Sequence, residues 1–101
     1  MEMALENIKI LEVLYKRGYG DEFLDKALNK IIFYEVSESR KHLEVLQKDL
    51  MELEKKYGFS TKAFTEKFQK GQLGDDADFI EWNALYKMYG KLKHRLDILK
   101  G

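Results

Sequence analysis

Residues 32–57 have the sequence IFYEVSESRKHLEVLQKDLMELEKKY, in which apolar side chains recur every three or four residues. The recurring positions are Ile32, Val36, Leu43, Leu46, Leu50, Leu53 and Tyr57, with a single interruption at Ser39. This is the heptad spacing of a helix that packs along a second helix. Charged residues fill the other faces of the helix, as expected for a solvated surface. The stretch therefore predicts a long, partly covered helix.

The ends of this helix are marked in the sequence. No helix breaker precedes residue 32 as far back as Glu22, and the pattern stops at Lys55, Lys56 and Gly58. Lysines stabilise the negative end of the helix dipole, and glycine readily adopts the left-handed conformation that ends helices. Ser60 is suited to cap a new helix of about ten residues that ends near Gly71. Phe59 and Phe64 have the spacing of a hydrophobic staple around that cap.

Two further helices are predicted. The first extends from Met3 to about Arg17, where Gly18 follows its C-cap, and Gly20 and Asp21 then supply a turn and an N-cap. The last begins at Asp75, Asp76 or Asp78 and reaches about Lys100. Its apolar stripe, which matches that of the long helix, consists of Phe79, Trp82, Leu85, Tyr86, Tyr89, Leu92, Leu96 and Leu99. We predict an all-α fold, an antiparallel helical hairpin built on one long central helix, with a short N-terminal helix and a short tip helix.

Composition supports this class and excludes several functions. The chain has 101 residues, no proline, no cysteine and zero formal net charge, so a single helical domain spanning residues 1–101 is expected. The absence of cysteine excludes disulfides, thiol nucleophiles and zinc–thiolate sites. Charged residues interrupt every apolar run, so we predict neither an export signal nor a membrane span, and a cytoplasmic location.

Several large apolar residues lie outside the two stripes and need covering. They are Phe23, Ile31, Phe33, Tyr34, Val45, Met51, Ile80, Met88 and Ile98. Each such side chain gains roughly 1.5–3 kcal/mol when it is fully buried, and contiguous apolar patches usually mark sites of association. We therefore expect a homodimer, a partner protein, or both.

Two clusters of ionisable residues are better explained by helix electrostatics than by metal binding or catalysis. Glu35, Glu38 and His42 share one face of the long helix but lack a second histidine or an HExxH pattern. The run of Asp75, Asp76, Asp78 and Glu81 departs from the EF-hand spacing and has the composition of a helix N-terminus. No phosphate loop or other cofactor motif is present, so we predict no metal, no cofactor and no catalytic residue.

The last helix carries two candidate binding features. Lys87, Lys91 and Arg95, supported by Lys93 and His94, form a basic stripe that would suit phosphates or an acidic partner, although such stripes are usually a solvated face. Phe79, Trp82, Tyr86 and Tyr89 form an aromatic band, a pattern found both in cores and at interface hot spots. Gly90 is unusual inside a helix, and it suggests either a close helix crossing or a kink.

The stretch Leu53–Leu96 contains four segments that resemble recurring elements of a known family. They are LEKKYG at Leu53–Gly58, a short helix with Phe64 and Phe68, GQLGDDADFIEW at Gly71–Trp82, and LYKMY at Leu85–Tyr89. With these elements, which cover a little under half of the chain, it resembles small helical antitoxin-like proteins of archaea and bacteria that are encoded beside ribonuclease-type toxins.

The resemblance implies a protein that is not an enzyme and that inhibits a cognate toxin by occluding its active surface. Phe79, Trp82, Tyr86 and Tyr89 would then be anchors, and Lys87, Lys91 and Arg95 electrostatic contacts. A self-associating coiled-coil scaffold or adaptor fits the heptads equally well. A nucleic-acid-binding regulator is a third hypothesis, and an enzyme that uses Glu35, Glu38 and His42 is the least favoured.

Overall fold

The computed structural model describes the backbone of residues 2–101 and the side chains from residue 3 onward. Within these residues the chain forms four helices and no strands, which confirms the all-α prediction. The helices are α1 (Glu2–Lys16), α2 (Glu22–Tyr57), α3 (Thr61–Gln69) and α4 (Ala77–Lys100). Within residues 2–101, no helix combines the length and the apolar character that crossing a membrane requires.

The contacts of the chain cluster into two compact units, one that extends up to Phe33 and one from Tyr34 to Gly101. Helix α2 contributes its first turns to the N-terminal unit and the remainder to the C-terminal unit.

The N-terminal unit is a helical hairpin closed by a glycine turn. Gly18 has a φ of 82°, and the backbone N–H groups of Gly18 and Tyr19 donate to the carbonyl oxygens of Tyr15 and Leu14. This pair of bonds is a Schellman motif, which ends α1 where the sequence predicts. Asp21 then caps α2, as predicted, because its Oδ1 accepts a hydrogen bond of 2.8 Å from the backbone N–H of Leu24.

The C-terminal unit is an antiparallel hairpin of α2 and α4 that is closed by α3. The antiparallel order follows from three contacts along the two helices: Glu35 with Arg95, Gln47 with Tyr89, and Lys56 with Asp78. Leu46 and Leu96 are buried. Ser39, the interruption in the heptads, is also buried, with 2% of its surface exposed, so a small side chain occupies the interior at this position.

The core of the C-terminal unit lies where α2, α3 and α4 meet. Leu50, Phe64 and Trp82 are buried there. The rings of Phe64 and Trp82 stack with centroids 4.2 Å apart, and the Trp82 indole Nε1 donates to Thr61 Oγ1 at 3.0 Å. Partly buried side chains surround these three residues: Leu53, Tyr57, Phe59, Phe68, Leu73, Phe79, Leu85 and Tyr89.

The caps predicted for α3 are present. Ser60 occupies the N-cap and its Oγ accepts a hydrogen bond of 3.1 Å from the backbone N–H of Ala63. The two phenylalanines of the predicted staple, Phe59 and Phe64, both stack on Trp82. The staple is thus organised around a residue from α4, which fixes α3 against that helix.

Candidate functional site

An apolar groove between α2 and α4 is a candidate binding site. Its volume is about 500 Å³. The residues that line it are His42, Val45, Leu46, Met88, Lys91, Leu92 and Arg95. The contributions from α2 are spaced i, i+3 and i+4, and those from α4 are spaced i, i+3, i+4 and i+7, so each helix presents one continuous face.

The floor of the groove is covered and its sides are open. Leu46 is buried and Leu92 is partly buried. Val45 and Met88 expose 59% and 54% of their surface. Packing of α2 against α4 uses the main stripe of each helix, and these two side chains lie beside it, so they remain available for contact with a further apolar group.

Cationic side chains border this apolar surface. The Arg95 guanidinium pairs with the Glu35 carboxylate, with Nη2 and Oε2 2.6 Å apart. Among the described side chains, Lys91 has no carboxylate within ion-pair distance. An apolar groove with a free ammonium group at its rim suits a ligand that has an apolar face and a carboxylate beside it.

The structure separates the predicted basic stripe into two parts. Lys91 and Arg95 line the groove, whereas Lys87 does not. His42 lines the groove. The two carboxylates that the sequence grouped with it form ion pairs elsewhere: Glu35 with Arg95, and Glu38 with Lys41 at 3.6 Å. Over the described residues, no group of three or more His, Asp or Glu side chains is arranged to hold a metal ion.

The aromatic band is likewise divided. Trp82 is fully buried at 0% exposure, and Phe79 packs against Tyr57 and Phe64. These two residues belong to the core, and Trp82 offers no surface to a partner while this packing persists. Tyr86 is exposed, and Tyr89 is partly buried where its Oη accepts a hydrogen bond of 3.3 Å from Gln47 Nε2.

The acidic run at the start of α4 has a structural role. Asp76 occupies the N-cap position without a side-chain capping bond. Asp78 accepts hydrogen bonds from Lys56 Nζ at 2.7 Å and from the Tyr57 hydroxyl. The bond from Lys56, assisted by that from Tyr57, holds the pKa of Asp78 below its usual value. Asp78 therefore joins the start of α4 to the end of α2.

Gly90 does not mark a close helix crossing. Helix α4 is continuous through this position, and a Cβ atom built on Gly90 has no neighbour within 4 Å. In the sequence, Val45 and Met88 stand out only as apolar residues outside the stripes. Their common placement in a groove follows from which faces α2 and α4 use to pack, and the heptads alone do not specify this.

Comparison with known proteins adds no assignment, because no protein-family model, curated protein or solved structure matches this chain.

Proposed function

We propose that this chain is a non-enzymatic protein-binding module whose C-terminal unit accepts an acidic amphipathic helix of a partner protein in the groove between α2 and α4. The observation that carries the proposal is the exposure of Val45 and Met88 beside the free ammonium group of Lys91. In helix-in-groove binding an amphipathic helix lays its apolar face in such a groove, and a charged rim favours partners of opposite charge.

Burial of the exposed apolar side chains supplies part of the free energy of binding. Full burial of a side chain such as valine or methionine gains about 1.5–3 kcal/mol, and roughly half of that gain is still available at Val45 and Met88. Contacts between Lys91 and a carboxylate would speed association and set the orientation of the partner more than they would raise affinity. Arg95 would contribute similarly if a carboxylate of the partner replaced Glu35.

The most specific form of the proposal is an antitoxin-like cytoplasmic protein. It is supported by the resemblance of Leu53–Leu96 to antitoxin-like proteins. The partner would then be a small toxin encoded beside this protein, and the module would neutralise it by covering its active surface. In this form the contact set comprises Val45, Met88, Lys91 and Arg95. Tyr86 lines a separate depression, and Trp82 and Phe79 belong to the core.

The first test is co-expression with the product of the neighbouring reading frame. We expect a stoichiometric complex by light scattering and suppression of the toxicity of that product. The double variant Val45→Gln/Met88→Gln should weaken the complex at least tenfold, which corresponds to about 1.4 kcal/mol. The matched control is Ile98→Gln, an exposed apolar residue of α4 outside the groove, which should bind as the wild type does.

A stoichiometric complex without any loss of toxicity would retain the binding module and contradict the antitoxin form. Failure of any neighbouring product to bind would favour the self-associating scaffold. Binding that weakens as much in Ile98→Gln as in the groove variant would place the contact elsewhere.

A further inference from the structure

The N-terminal unit has no interior of its own. Between residues 3 and 33 no residue is buried. Leu11, Leu14 and Tyr15 of α1 and Leu24, Ala27 and Leu28 of α2 are partly covered where the two helices meet. A helix pair that buries only one shared face is marginal in water, because most helical stability in proteins comes from tertiary packing.

This unit also carries a disproportionate share of exposed apolar side chains. They are Met3, Leu5, Ile8, Ile10, Val13, Tyr19, Phe23, Ile31, Ile32 and Phe33. Those on α2, which are Phe23, Ile31, Ile32 and Phe33, lie on several faces of the helix. A helix that is apolar all round is normally buried. Together the exposed apolar side chains of this unit present on the order of 1,000 Å² of apolar surface spread over several faces, so an interface of standard size, roughly 800 Å² per partner, would cover only part of it.

The hairpin carries an apolar depression with cationic residues and an exposed apolar ring with acidic neighbours. A depression of about 480 Å³ on α1 is lined by Lys9, Ile10, Val13, Leu14, Arg17 and Tyr19. The Phe23 ring projects from the start of α2 with 78% of its surface exposed, and Asp21, Glu22 and Asp25 are its acidic neighbours in sequence. The hairpin thus offers both an apolar ring flanked by acids and an apolar depression flanked by cations.

We propose that the N-terminal hairpin binds a second copy of itself, with Phe23 of each chain seated in the Ile10–Val13–Tyr19 depression of the other. A two-fold axis lets both copies use the same patch, which is the commonest symmetry of soluble oligomers. Two hairpins together make four helices, a number that can enclose a shared apolar interior. Residues 2–33 contain six acidic and five basic residues, so the two copies associate without strong repulsion.

Sedimentation equilibrium tests this interface. The wild type should have a mass of about 24 kDa, twice the chain mass of 12.0 kDa, and Phe23→Gln and Arg17→Glu should each shift the equilibrium at least tenfold towards the monomer. Ile98→Gln, on α4, is the matched control and should remain dimeric. A monomeric wild type at micromolar concentration, or a Phe23→Gln variant that dimerises as the wild type does, would overturn the proposal.

A second measurement uses the wild type alone and so does not depend on the folding of a variant. In a mixture of isotope-labelled and unlabelled chains, nuclear Overhauser effects between copies should involve side chains of residues 3–33. Effects between copies that involve Val45 or Met88 instead would place the dimer contact in the groove and overturn the assignment. The proposed dimer and the proposed partner complex can therefore be confirmed or contradicted independently of each other.

Discussion

At the scale of single residues, Gly20 and Gly90 are two glycines whose surroundings differ. Gly20 lies so close to Tyr15 that a Cβ added to it would stand 2.5 Å from a ring carbon. A side chain there would displace the ring whose hydroxyl donates to Asp25 Oδ1 at 2.7 Å. Gly90, in contrast, has open space around it, so the fold of the chain does not require glycine at that position.

Replacing Gly90 by alanine should stabilise the protein by about 1 kcal/mol, because glycine costs about that much in an exposed helix interior. Urea unfolding followed by circular dichroism measures the change. Ala84→Gly, at another exposed position of α4, is the matched control and should destabilise by a similar amount. A destabilising Gly90→Ala would mean that this position contacts another group closely.

Tyr15 should titrate well above a free tyrosine. Burial of the ring and the hydrogen bond to Asp25 raise its pKa to about 12. Because the folded pKa exceeds the unfolded value of about 10, the contribution of Tyr15 to stability is complete below about pH 10 and is lost as the pH rises through about 12.

Ultraviolet titration of phenolate absorbance, wild type minus Tyr15→Phe, isolates this group. We expect a difference component with a midpoint near 12, and Asp25→Asn should move that midpoint downward. A midpoint near 10 in the wild type would show that the Tyr15–Asp25 bond does not form in solution.

At the scale of elements, helix boundaries were predictable because each rests on local chemistry. The caps at Asp21 and Ser60 and the stop at Gly18 lie where hydrogen-bonding side chains and glycine place them. The role of Asp78 was not predictable from spacing alone. Its position suggested a helix cap, whereas its carboxylate accepts bonds from Lys56 and Tyr57, which are distant in sequence.

Asp78→Asn should weaken the junction between α2 and α4 and lower the urea midpoint at neutral pH. The folded pKa of Asp78 is depressed, so its contribution is present above the unfolded value of about 3.9 and is lost as the pH falls through the lower folded pKa. The midpoints of wild type and variant should therefore converge at acidic pH. Asp75→Asn, at an exposed position before α4, serves as the control and should have little effect. If the urea midpoints of wild type and Asp78→Asn still differed by the same amount at low pH, the stabilisation would not come from the ionised Asp78 carboxylate.

At the scale of the whole molecule, the apolar surfaces of the two units differ in the charge of the residues around them. The groove of the C-terminal unit is bordered by Lys91 and Arg95, whereas the N-terminal hairpin has nearly balanced charge. Heptad spacing predicted that α2 and α4 pack together. It could not distinguish an aromatic residue in the core from one at an interface, because both follow the same spacing. Trp82 could be assigned to the core only when its contacts with Phe64 and Thr61 were known.

We propose that the groove between α2 and α4 binds a partner. The most direct test is to add the purified partner stepwise to the protein and follow the methyl groups of the protein by NMR. We predict that the methyl resonances of Val45, Leu46, Met88 and Leu92 shift or broaden, while those of Met51 and Ile98, which do not line the groove, stay in place. Perturbation confined to Met51, Ile98 or residues 3–33, with the four groove methyl groups unchanged, would contradict the account.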